Sequence, residues 1–206
     1  MKKMILLIML LCGALSVHAK QLTKPEKQEM LKQFIQFQNA VRNGDISTIK
    51  SSILFPLHEN STINPLLGKT GSDKPDFGDK KLTPTLFDQY QKNALTNLKF
   101  VTLIKIEPQS LVIQKYLHPK TNRQYKYDNK GQYCYYLQGN KKIRVNDNFN
   151  AVAYRAFIDD HSGQLIVAKS QVSSPCDENE EPGYGEYFIF QLINNKLRIV
   201  NVGVAG

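Results

Sequence analysis

A chain of 206 residues, 41% hydrophobic, with three cysteines and a formal net charge of +9, has room for one domain with a sizeable core. It carries no internal repeat and no low-complexity tract. Its Lys and Arg residues are scattered rather than gathered in one block, which reads as a solubilising surface. No recognised nucleic-acid module accompanies the charge, so nucleic acid is not an expected partner. Anionic lipid, anionic wall polymer and an acidic protein are the remaining charge-matched candidates.

Residues 1–19 read as an export signal. Lys2 and Lys3 precede an apolar run from Met4 to Leu15, and Val17-His18-Ala19 supplies small residues for cleavage after Ala19. The run is short for a bilayer span, which needs roughly 20 apolar residues. Leu11 stands before Cys12, where a lipoprotein signal wants a small residue. The expectation is a bacterial periplasmic or secreted protein that does not span the membrane. Cleavage leaves 187 of the 206 residues and a formal charge of +7 in place of +9. That segment, 20–206, is expected to form a single domain.

Thr23 or Lys24 before Pro25 marks the start of the first helix. Met30, Leu31, Phe34, Ile35, Phe37, Gln38 and Val41 recur at three- and four-residue steps, with Lys32, Gln33, Gln36 and Asn39 on the opposite side. Gly44 is the expected C-terminal stop, and Asp45 the N-cap of a second helix sharing Ile46, Ile49 and Ile53. Pro56 is expected to end that helix, by pushing Phe55 towards extended geometry. A long structureless loop follows at 58–82, of a length that is usually functional or mobile. Gly68-Lys69-Thr70 within it is no phosphate-binding loop, because Ile63 stands where the first glycine belongs. Thr83 and Pro84 open a third helix running to about residue 98.

Beyond it the periodicity turns strand-like at 101–106, 111–117, 132–137, 143–145, 152–158, 164–171, 187–193 and 197–204. Asn194-Asn195 suits a tight hairpin, since asparagine tolerates positive φ. Helices first and strands afterwards predict an α+β fold, with N-terminal helices on one face of a curved antiparallel meander.

The run Phe34-x-x-Phe37-x-x-Ala40-Val41-x-x-Gly44-Asp45, with Ile49 and Phe55-Pro56-Leu57 after it, resembles the opening of NTF2-like (cystatin-like α+β) domains. Thr83-x-x-Leu86-Phe87-x-x-Tyr90 is similar to their third helix. The resemblance implies a cone between helices and sheet, for which Phe55, Tyr90, Tyr154, Phe188 and Phe190 are the candidate lining. Some NTF2-like enzymes place Asp and His in that cone. Here His58, His118 and His161 fall on no helix face or strand interior, so that role carries over to none of them.

Asp159, Asp160 and His161 have the residue types of acid–base chemistry but read as a solvated turn before Gly163. Asp177, Glu178, Glu180 and Glu181 lack EF-hand spacing and read as an exposed acidic loop. No catalytic residue, metal or cofactor is expected. Cys134 and Cys176 remain after loss of Cys12, and an even pair in an oxidising compartment predicts a disulfide. Tyr133 and Tyr135 share a strand face near Lys141, Lys142 and Arg144, a candidate aromatic–basic partner surface.

The leading functional expectation is an exported, non-enzymatic binding module. Its partner would be a small ligand or a protein, such as a toxin that it neutralises, with a homodimer as a further option. A small hydrolase or isomerase using the cone, and an envelope structural protein binding anionic wall polymer, are the alternatives.

Overall fold

A computed structural model describes residues 21–57, 63–68, 77, 80–106, 113–117, 124–128, 130, 133–145, 151–172 and 185–205. Residues 1–19, expected to be an export signal, His58, His118, Cys176, the acidic cluster 177–181 and the rest of the 58–82 loop lie outside them.

Helix α1 spans Lys24–Asn43 and begins with a capping box. The Thr23 hydroxyl accepts from the Glu26 amide while the Glu26 carboxylate accepts from the Thr23 amide at 2.8 Å. Gly44 ends it in the left-handed region at φ 69°, where a side chain would be strained. Asp45 then caps α2, Ile46–Ser51, by accepting the Thr48 amide at 3.0 Å. This helix stops four residues sooner than Pro56 would require. Ser52 to Leu54 instead pair with the sheet, Leu54 donating to the Ile199 carbonyl at 3.0 Å and Ile199 to that of Ser52 at 2.7 Å.

The described part of the 58–82 region is not structureless. Asn64–Leu67 form the short helix α3, and Ile63, Leu66, Leu67, Phe77 and Leu82 are all buried. Helix α4, Pro84–Leu98, starts at the Thr83 cap and bends at Tyr90, whose φ/ψ is non-helical. It runs into a 3-10 turn, Lys99–Leu103, where a strand was expected. Phe100 and Val101 are driven into the core there, and β-branched and aromatic residues in so short a run do not distinguish the two states.

Among the described residues eight strands follow: β1 Ile113–Leu117, β2 Gln124–Asp128, β3 Tyr133–Gln138, β4 Lys141–Arg144, β5 Ala151–Asp159, β6 Gln164–Val172, β7 Gly185–Ile193 and β8 Lys196–Ala205. The second was not expected from the sequence. All neighbours are antiparallel, in the order β4-β3-β2-β1-β5-β6-β7-β8. The fold is α+β as expected, but the sheet is not one simple meander. Strand β5 pairs with β1 rather than β4, so two four-stranded meanders meet at the centre. Between Ile189 and Phe190 the register slips past Val200, a bulge of the kind that bends a strand. The Asn194-Asn195 turn has φ of 50° and 59°, as expected of a tight hairpin.

The core lies between the helices and the inward rows of β5 to β8. Phe190 meets Phe34 and Phe37 edge-on, at centroid distances of 5.3 and 5.2 Å. That geometry adds to the burial of three large rings. Ile35, which the spacing placed on the apolar face, is instead 44% exposed. Gln33, assigned to the polar side, clamps the last hairpin. It accepts from the Leu197 amide at 2.7 Å and donates to the Asn195 carbonyl at 2.8 Å. Among the described residues no helix is long and apolar enough to cross a membrane.

Candidate binding cleft and edge hairpin

Strand alternation points Tyr154, Ala156 and Ile158 of β5 towards the helices. Register carries this across the sheet: Ile158 faces Leu165 and Ala156 faces Val167, with Phe190 and Phe188 continuing the two rows on β7. The third row is Tyr154, Lys169 and Glu186. The inward face thus changes from apolar to charged at this row.

A cleft of about 510 Å³ opens there, within the size range of small-molecule sites. The row just named forms one wall. Val41 and Arg42 from the last turn of α1, and Thr96 and Asn97 from the end of α4, form another. The 3-10 turn closes it with Lys99, Phe100, Thr102 and Leu103.

Phe100 joins cleft to core. Its ring stacks on Tyr154 at 5.9 Å and lies 5.6 Å from Phe188. Tyr154 is 7% exposed, and burial pushes its phenol above the ordinary value. Its hydroxyl has no hydrogen-bond partner among the described residues. Lys169 and Glu186 sit 3.8 Å apart and remain partly exposed. Asn97 donates to the Leu66 and Gly68 carbonyls at 3.0 and 2.8 Å, so the cleft rim is tied to α3.

No family model, no curated protein and no solved structure matches the chain.

Of the five candidate lining residues, only Tyr154 is at the cleft. Phe188 and Phe190 are fully buried in the core rows beneath it. Phe55 packs against Phe87 at 6.2 Å and Tyr90 against Phe77 at 5.0 Å, two separate contacts that flank α4. Arg42, Lys99, Lys169 and Glu186 were missed. A sign of the last two was present, since Lys169 and Glu186 fall in phase with the apolar positions of their strands.

The candidate partner surface does assemble, with one exception. Strands β3 and β4 form the sheet's edge hairpin, and Tyr135 faces Arg144 while Leu137 faces Lys142. The Tyr133 and Tyr135 rings are 6.2 Å apart. Lys142 Nζ lies 4.6 Å from the Tyr135 ring centre and Arg144 Cζ 5.1 Å from that of Tyr133, within cation–π range. Lys142 also bonds Asp128 at 2.9 Å, which raises its ammonium pKa above the usual value. Leu137, on the same face, is 49% exposed. Lys141 faces Gln138 and so projects from the opposite side of the hairpin.

The Asp159–Gly163 segment is a hydrogen-bonded turn. Asp159 accepts the Ser162 hydroxyl at 2.5 Å and the His161 and Ser162 amides at 3.1 and 3.3 Å, and these bonds, the hydroxyl first, lower its carboxyl pKa. Asp160 pairs with Lys27 of α1. These carboxylates are committed to structure.

Proposed function

We propose that the protein is an exported, non-enzymatic binding module that holds its ligand in the cleft between helix layer and sheet. The row of Tyr154, Lys169 and Glu186 carries the reading, because it places a buried aromatic hydroxyl and two charges on an otherwise apolar face. Glu186, the carboxylate of the lining, is partly exposed and balanced by Lys169. The NTF2-like relationship belongs to the same proposal, supported by the Gly44-Asp45 joint between α1 and α2 and the Thr83-capped α4. A disulfide between Cys134 and Cys176 is also part of it, supported by the deep burial of Cys134 on β3.

Native mass spectrometry of the full chain, recovered from a bacterial periplasm, tests the cleft. A bound small molecule is expected, and Thr102→Trp, which fills the cleft, is expected to abolish it. A bound molecule unaffected by that substitution overturns the assignment, and co-purification of a stoichiometric protein instead transfers the reading to a protein partner.

The edge hairpin favours a second reading, in which Lys142 and Arg144, steadied by Tyr135 and Tyr133, hold the protein on anionic wall polymer. Such contacts weaken with ionic strength. Retention on isolated cell wall that ignores both salt and the double variant K142Q/R144Q removes it.

A further inference from the structure

We infer that the cleft selects a small organic acid: an apolar or aromatic body carrying one anionic group. This rests on the binding reading above and names its ligand class.

Charge is the first ground. Three cations, Arg42, Lys99 and Lys169, line the cleft against one carboxylate, Glu186. Lys169 is the cation that Glu186 neutralises. Arg42 and Lys99 have no carboxylate in ion-pair range among the described residues, so the unbalanced charge of the lining is positive.

The second ground is independent of the rim. Tyr154 is nine-tenths buried and carries an O–H that nothing among the described residues accepts. A buried donor without an acceptor costs roughly 1–3 kcal/mol, a cost that a bound acceptor removes. An anionic oxygen is the strongest such acceptor. Beside it, Phe100 and Leu103 present apolar surface within the same cleft. A fully polar anion would leave that surface uncovered, and a neutral apolar molecule would leave both the hydroxyl and the rim cations unused.

The test uses the purified full chain, titrated by calorimetry with 2-naphthoate and with its neutral isostere 2-naphthamide. The acid is expected to bind at least ~10-fold more tightly, the usual worth of a charge-assisted hydrogen bond. Tyr154→Phe keeps the ring stacked on Phe100 and is expected to weaken naphthoate by roughly tenfold. The double variant R42Q/K99Q changes only exposed side chains and is expected to bring the two affinities together. Equal affinity of the unmodified chain for acid and amide overturns the ligand class while leaving the cleft a binding site. Binding of neither compound overturns the ligand class, and the co-purified molecule and its Thr102→Trp control then decide the cleft separately. A preference for the acid that survives both Tyr154→Phe and R42Q/K99Q also overturns the assignment, because the selecting groups then lie elsewhere.

Discussion

The buried side-chain amide of Gln38 donates to the Val101 carbonyl at 2.6 Å, across the boundary between α1 and the 3-10 turn. The same nitrogen reaches the Ile104 carbonyl at 2.8 Å. The end of the 3-10 turn leaves the Ile104 carbonyl without a helical partner and the Val101 carbonyl with a long 3.3 Å bond from the Ile104 amide, inside the protein where water cannot serve them. Gln38 is 6% exposed and stands on the apolar side of α1 for that reason. Since the turn also delivers Phe100, Lys99 and Leu103 to the cleft, this pair positions the site.

Gln38→Leu keeps the bulk but takes the side-chain donor from both carbonyls, leaving Val101 only its 3.3 Å bond from the Ile104 amide. We expect a loss of about 1–3 kcal/mol for the Ile104 carbonyl left unsatisfied, read as a lower urea midpoint. Reduced cleft binding should accompany it, as the 3-10 turn loses its anchor. A midpoint equal to that of the unmodified chain contradicts the role given to Gln38.

Phe190 supplies the ring on which Phe34 and Phe37 converge. Phe190→Ala should cost about 3–5 kcal/mol, the range for removing a large buried aromatic. Phe55→Ala, at a partly buried ring outside that cluster, should cost less. Chemical denaturation of the two variants side by side checks the ordering.

Gly203 lies opposite Tyr187, and a Cβ there would overlap the Tyr187 ring and hydroxyl. Gly203→Ala is therefore expected to destabilise by about 1–3 kcal/mol through overpacking. In a Tyr187→Ala background the same change should be nearly neutral. Equal costs in the two backgrounds would show that the ring is not what excludes a side chain.

The Asp159 carboxyl is held below its ordinary value, chiefly by the Ser162 hydroxyl and then by the His161 amide. A lowered folded pKa stabilises the protein above the unfolded value of about 3.9. That contribution disappears as pH falls through the lowered folded value. Asp159→Asn should therefore differ from the unmodified chain at pH 6 and converge with it towards pH 2. Urea midpoints at the two pH values measure this, and a constant gap would place the effect outside titration of Asp159.

Local signals made much of the framework legible. Thr23, Gly44, Asp45 and Thr83 marked helix ends because a cap is decided by a few adjacent backbone groups. Alternation located β5 to β8, and Asn194-Asn195 located their last turn, for the same reason. The edge hairpin was also within reach, since Tyr133 and Tyr135 sit two residues apart and their cations lie only a short turn away.

What sequence alone determined, then, was the class of each strong element and the α+β order in which they come. It left open the pairing of β5 with β1, the 3-10 turn at Lys99–Leu103 and the cleft. Only tertiary structure decided these, because each depends on residues far apart in the chain. Arg42, Lys99, Tyr154, Lys169 and Glu186 become neighbours only once α1, the 3-10 turn and the sheet are packed together.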